Sequence, residues 1–112
     1  MAREFNKYFA LTRGDTNAIN VSVRYNLGGY NPFTSKQEKR GYYISIGPCN
    51  VNRMDGYNTI ETVAFSGYKM LIKELKRDSN KAYEEAKQFA DDNMKRLFKE
   101  WFPNLETEWN PL

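Results

Sequence analysis

The chain has 112 residues, of which 40% are hydrophobic and 15% aromatic. A single domain of this size buries roughly two thirds of the surface that the unfolded chain exposes, so global disorder is excluded and no stapling disulfide is required. The net charge of +3 is uneven, because residues 1–58 carry eight Lys or Arg against four Asp or Glu, a mild indication of an anionic partner.

Neither a secretion signal nor a membrane span is expected. The first residues, MAREFNKYFALTRGD, are charged and short of apolar residues, unlike a signal peptide. No run approaches the roughly 18 apolar residues of a membrane span. Cys49 is the only cysteine and can form no disulfide within the chain. These features predict a soluble, cytoplasmic protein without membrane association.

The first half of the chain carries the two-residue periodicity of β-strands. Residues 8–13 and 18–26 are the first two predicted strands, and the turn sequence GDTN joins them. A third strand, residues 41–48, is predicted to end at Pro48 because proline cannot donate to a strand ladder. A fourth strand is predicted at residues 59–65, where the alternation is poorer.

Helical periodicity follows in the sequence GYKMLIKELKR. Ser66 precedes this segment and suits the N-cap of a helix over residues 67–77. The apolar residues follow the i, i+3, i+4, i+7 spacing of one helix face. They are Tyr68, Leu71, Ile72 and Leu75.

A longer helix is predicted from Lys81 to about Trp101, and Pro103 stops it. The tail, residues 103–112, is irregular. Strands followed by helices predict a single α+β domain over residues 1–112. The predicted architecture is an antiparallel sheet of three to four strands, at about residues 8–65, with two helices, at about 67–102, packed on one face.

The sequence offers little that would support catalysis. There is no histidine, which removes the usual general base and the commonest metal ligand. Without a histidine partner, Cys49 has no evident means of activation. Adjacent carboxylates such as Asp91 and Asp92 point about 100° apart on a helix and do not converge on one proton or metal. We expect a protein that is not an enzyme, with no catalytic residue, cofactor or metal site.

The loop between the second and third strands is the main candidate for a binding surface. The sequence GGYNPFTSKQEKRGYY, residues 28–43, predicts a long hairpin that mixes aromatic and basic residues. Aromatic anchors and an arginine suit a protein partner, whereas cations on phosphates and rings stacked on bases suit nucleic acid. The third interpretation is a solvated loop. The candidate residues are Tyr30, Phe33, Lys36, Lys39, Arg40 and Tyr43.

A second candidate surface lies on the first predicted helix. Lys69, Lys73, Lys76 and Arg77 form a basic stripe opposite its apolar residues. A stripe of this kind is also what an ordinary solvated helix face presents.

One set of motifs resembles a family. The chain carries the order R-G-Y-Y, a strand ending in proline, F-S-G and R-x-S-x-K, here at Arg40–Tyr43, Pro48, Phe65–Gly67 and Arg77–Lys81. This order resembles small proteins encoded on phages and conjugative elements of gut Firmicutes, over about residues 40–90. No activity is established for that group, so the resemblance implies a genomic setting rather than a reaction.

Taken together, these patterns predict a small binding or regulatory protein of a mobile genetic element that acts on a protein partner. Inhibition of a host defence, as by anti-CRISPR proteins, is one form that such a role takes. The first alternative is nucleic-acid binding through the hairpin at residues 28–43. The second is a structural homodimer, in which Trp101, Phe102 and Trp109 close an interface between subunits.

Overall fold

The computed structural model describes residues 4–32, 35–54, 57–61 and 67–111, which form seven strands and one helix. The elements are β1 (Glu4–Ala10), β2 (Ala18–Asn26), β3 (Gly29–Asn31), β4 (Lys36–Glu38), β5 (Gly41–Met54), β6 (Tyr57–Glu61), β7 (Tyr68–Glu74) and α1 (Asn80–Trp101).

The main sheet is antiparallel, with β2 between β1 and β5, and β7 on the far side of β5. β5 is longer than its neighbour β2, which pairs with it only as far as Cys49. The last part of β5 continues beyond that point and pairs with β6. Strands β3 and β4 form a separate two-stranded sheet. The predicted α+β class with an antiparallel sheet is therefore confirmed.

The helix α1 lies on one face of this sheet and closes the core. Ser79 is its N-cap, and the Ser79 hydroxyl accepts a hydrogen bond from the backbone N–H of Ala82 at 3.1 Å. Three alanines at four-residue spacing allow the first turns of the helix to approach the sheet closely. The buried residues of the helix are Ala82, Ala86, Ala90, Met94, Leu97 and Phe98, and those of the sheet that face them include Ile19, Val21, Val23, Tyr42, Ile44 and Ile46.

The prediction of two helices is wrong, because the segment predicted as the first helix forms strand β7. Met70 and Ile72 pack against the helix side of the core, and Tyr68 contacts Trp101 on that side. These three residues have the two-residue period of a strand. A register shift in the β5–β7 pairing, where Tyr42 lies opposite Lys73 but Tyr43 lies opposite Leu71, interrupts the period and produces the spacing that resembles a helix.

The strand boundaries also differ from the predicted ones in three places. β1 is Glu4–Ala10 rather than 8–13, because the chain already turns after Ala10 and Leu11 N–H bonds to Asn17 C=O at 3.0 Å. β5 does not end at Pro48 but continues to Met54. Because β7 pairs with β5 only up to Ile46, the N–H group that Pro48 lacks is not needed for a hydrogen bond to β7. The strand predicted at 59–65 overlaps β6, while residues 62–66, including the predicted cap, lie outside the described residues.

The tail after α1 folds back along β1. Ala10 N–H donates to Asn110 C=O at 3.0 Å, and Thr12 N–H donates to Glu106 C=O at 2.8 Å. The ring of Trp109 packs edge-on against Phe9 and Phe98, with centroid distances of 5.1 and 5.4 Å. The tail therefore completes the core of its own chain.

Candidate partner-binding surface

The hairpin predicted at residues 28–43 is present, as the connection between β2 and β5. Asn26 and Gly41 are the last pair of the β2–β5 ladder, and the β3–β4 hairpin follows with Tyr30 opposite Gln37. Gly28 has a φ of +79°, and a Cβ on it would lie 2.9 Å from both the amide nitrogen of Arg40 and the carbonyl oxygen of Glu38. Only glycine fits where the two arms of the hairpin approach so closely.

Glu38 fastens the hairpin to the main sheet. Its carboxylate accepts hydrogen bonds from Lys69 Nζ at 2.6 Å, Asn31 Nδ2 at 2.9 Å and Asn26 Nδ2 at 3.0 Å. The hydrogen bond from Lys69, followed by that from Asn31, lowers the pKa of the Glu38 carboxyl. Lys69 also lies over the ring of Tyr43, 5.3 Å from its centroid.

Arg40 and Lys39 connect the hairpin to the end of β7. Arg40 Nε donates to Leu27 C=O at 3.0 Å, and its Nη1 donates to Lys76 C=O at 3.3 Å. Lys39 lies 3.8 Å from the carboxylate of Glu74. Lys69 and Lys76 of the second candidate surface therefore lie beside the hairpin.

Two large hydrophobic residues beside these contacts are well exposed. Leu27 is 68% exposed and Tyr30 is 65% exposed. Lys36 is also exposed on β4. Leu27 was not among the predicted residues, because one leucine before a Gly-Gly pair gives no periodic signal. We call Leu27, Tyr30, Lys36, Lys39 and Arg40 the hairpin surface.

Two of the residues predicted for the hairpin are not part of the hairpin surface. Tyr43 is buried, with 8% of its area exposed, and its hydroxyl donates to Lys39 C=O at 2.7 Å. The ring of Tyr43 is therefore covered and is not presented to a partner. Phe33 lies outside the described residues.

The predicted basic stripe is not a helix face. Lys69 and Lys73 are on β7 and point to opposite sides of the sheet, since Lys69 bonds Glu38 of the hairpin and Lys73 bonds Glu85 of α1 at 3.0 Å. Lys73 lowers the pKa of the Glu85 carboxyl through that bond. Lys76 and Arg77 follow β7 and are exposed.

Among the described residues, no group of three or more His, Cys, Asp or Glu is placed to hold a metal ion. Cys49 is buried, and desolvation raises the pKa of its thiol, which keeps it in the less nucleophilic protonated form. In the described parts of the chain, no helix is long and apolar enough to cross a membrane.

No protein-family model, no curated protein and no solved structure matches the chain. The resemblance to proteins of mobile elements therefore stays a prediction.

Replacing Glu38 by glutamine is expected to loosen the hairpin without unfolding the domain. The change keeps the shape of the side chain but removes the charge that Lys69 pairs with, at 2.6 Å. We expect trypsin to cut after Lys36 or Lys39 several times faster under native conditions. Glu74→Gln is the matched control, because Glu74 is exposed and its contact with Lys39 is long, at 3.8 Å.

The attachment of the hairpin to the main sheet through Glu38 should depend on pH. Because the folded state lowers the pKa of Glu38, its contribution is complete above the ordinary glutamate value of 4.5 and is lost as the pH falls through the folded-state pKa. Cleavage of the native chain by an acid-active protease should therefore accelerate at low pH, and less so in Glu38→Gln. Equal cleavage of Glu38→Gln and Glu74→Gln would show that Glu38 does not fasten the hairpin.

Proposed function

We propose that this chain is a non-catalytic binding protein that acts on a protein partner through the hairpin surface. The observation that carries the proposal is the exposure of Tyr30, at 65%, and Leu27, at 68%, on a hairpin held in place by Glu38 and Arg40. Tyrosine offers a large contact area with only two side-chain torsions to order on binding, and it is enriched among interface anchors.

A protein partner is favoured over nucleic acid by how the cations of this region are engaged. Lys69 is bonded to Glu38, and Lys39 lies near Glu74. Arg40 uses its Nε and Nη1 on backbone carbonyls. Binding to phosphates would require several of these groups to leave their partners, whereas an apolar anchor with a few surrounding charges suits a protein interface.

We also propose the biological setting that the motif order implies, a regulatory protein of a mobile element that binds a component of its host. The net charge of +3 does not suit an acidic mimic of nucleic acid. An inhibitor built on this chain would instead dock on a protein or cover an anionic site. Residues 1–112 would act as one domain in either role.

Photocrosslinking from position 30 tests the proposed function. With p-benzoylphenylalanine in place of Tyr30, we expect an adduct in host cells that protease removes and nuclease leaves intact. The same substitution in place of Tyr83, which is half-buried against Tyr42, is the control and should give none. A nuclease-sensitive adduct would support the nucleic-acid alternative, and no adduct from position 30 would contradict both.

With the captured partner, Tyr30→Ala is expected to weaken binding by about tenfold or more, as loss of an aromatic anchor does. Lys36→Ala should change mainly the association rate and its salt dependence, because Lys36 is an exposed charge at the rim. Titrations at two salt concentrations separate these effects. A larger loss for Lys36→Ala than for Tyr30→Ala would indicate electrostatic recognition.

A further inference from the structure

The excess positive charge of the protein is concentrated in two segments, the hairpin and the chain around β7. Of the 17 Lys or Arg and 14 Asp or Glu in the whole chain, residues 27–40 and 69–78 together hold seven and three. The remainder of the chain, with ten against eleven, is slightly negative. These two segments therefore account for the whole net charge of +3.

Arg40 joins the exposed apolar part of the hairpin surface to the chain that follows β7. Its guanidinium lies between two backbone carbonyls, that of Leu27 at 3.0 Å from Nε and that of Lys76 at 3.3 Å from Nη1. Leu27 is 68% exposed, and Lys76 and Arg77 are also exposed. An apolar side chain and a pair of cations are thus brought next to each other across Arg40.

The cations that follow β7 are not neutralised by the chain itself. Within the described residues, neither Lys76 nor Arg77 makes an ion pair or a side-chain hydrogen bond. The contact of Lys76 with Arg40 uses its backbone carbonyl, which leaves its ammonium group to solvent. The next residue, Asp78, instead accepts a hydrogen bond from the hydroxyl of Tyr42.

Other cations of these segments already have acidic partners and carry no part of the inference. Lys69 is bonded to Glu38, and Lys73 is bonded to Glu85 of α1. The cations that a partner could meet without breaking an existing ion pair are instead Lys36, Lys76 and Arg77. They stand at the margins of the exposed apolar residues, where charges steer a partner of opposite sign and fix its orientation.

We infer that the hairpin surface and the neighbouring Lys76 and Arg77 together bind an acidic patch of the protein partner, one in which carboxylates surround an apolar residue. This inference rests on the proposed function and names the chemistry of the partner's surface. The apolar side chain of Leu27 can bury an apolar residue of a protein, whereas it offers no hydrogen bond to a phosphate or a sugar. Carboxylates around that residue would then meet Lys76 and Arg77.

Amide chemical shifts of the ¹⁵N-labelled full chain test this inference. The probes are the capped peptide Glu-Glu-Leu-Glu-Glu, its neutral counterpart Gln-Gln-Leu-Gln-Gln, and a thymidine pentanucleotide, whose phosphodiesters match the charge of the acidic peptide. We expect millimolar acidic peptide to shift the amides of Leu27, Arg40 and Lys76. The neutral peptide should leave these amides unchanged, and the pentanucleotide should bind more weakly than the acidic peptide.

Lys76→Gln should weaken the acidic peptide about threefold, the loss expected when one exposed charge pair is removed. This change leaves the backbone carbonyl that Arg40 bonds, so the hairpin stays attached. Lys99→Gln is the matched control, because Lys99 is also exposed but lies in the last turn of α1, whereas Lys76 precedes its first turn. It should bind the peptide like the unaltered chain.

Three results would overturn the inference: no shift of these amides at millimolar acidic peptide, equal shifts with the neutral peptide, or equal weakening by Lys76→Gln and Lys99→Gln. Tighter binding of the pentanucleotide than of the acidic peptide would also overturn it, in favour of phosphates. Crosslinking from position 30 reports separately on the proposed function. A protein adduct without these peptide shifts would therefore reject the acidic patch and leave the proposed function standing.

Discussion

Replacing Gly41 by alanine is expected to lower the free energy of unfolding by about 3 kcal/mol and to disrupt the pairing of β7 with β5. A Cβ at this position would lie 2.1 Å from the carbonyl oxygen of Lys73 and 2.9 Å from the Cα of Glu74. Both are backbone atoms, so relief requires the strands to separate rather than a side chain to rotate. Chemical denaturation of the two proteins measures the difference.

Gly29→Ala is the control for this substitution. Gly29 has a φ of +111°, which an alanine adopts only with strain, but a Cβ there meets no atom within 4 Å. We expect a loss of about 1 to 2 kcal/mol, from backbone strain alone. Equal losses in the two variants would show that the close approach of β7 is not what requires glycine at position 41.

The position of Gly41 links the fold to the candidate surface. Just before it, Arg40 C=O accepts from Leu75 N–H at 2.9 Å, so the hairpin leaves the sheet at the point where β7 ends. If β7 separates from β5, the contacts that hold the hairpin are lost. Gly41→Ala should therefore abolish the crosslink from position 30.

The elements with uninterrupted periodicity could be predicted from the sequence. The span of β2, Ala18–Asn26, and a helix ending at Trp101 are as predicted, because each has one buried face and a clear stop. β7 could not be recognised, since its register shift near Ile72 breaks the two-residue period. The local sequence pattern of residues 67–77 favoured a helix, but pairing with the side of β5 that β2 leaves open makes this segment a strand.

The candidate site was predictable as a location but not as a set of contacts. The Gly-Gly pair and the polar residues that follow place a hairpin between β2 and β5. Nothing local shows that Glu38 would bond Lys69, which is 31 positions away, or that Tyr43 would lie under the hairpin with its hydroxyl on Lys39. Such contacts depend on the path of β7, the element that the sequence misassigned.

The packing of the tail on the core could not be predicted from the sequence either, and Trp109 provides a quantitative test of that packing. Trp109 has a φ of +63°, a left-handed conformation that costs a residue other than glycine about 1 kcal/mol. The packing of its ring on Phe9 and Phe98 must exceed that cost. Lys95 adds a cation–π contact, with its Nζ 5.9 Å from the centroid.

We expect Trp109→Ala to lower the free energy of unfolding by about 3 kcal/mol, the loss typical of removing a large ring from a core. Its mass in solution should stay that of the unaltered chain, because the ring contacts residues of its own chain. Denaturant unfolding measures the stability, and light scattering measures the mass. Asn110→Ala should change neither, because among the described residues its side-chain amide reaches only Glu108, at 3.5 Å. A smaller mass with unchanged stability would instead place Trp109 at a subunit interface, as the homodimer alternative requires. The two measurements thus separate a tail that completes the core from one that joins two chains.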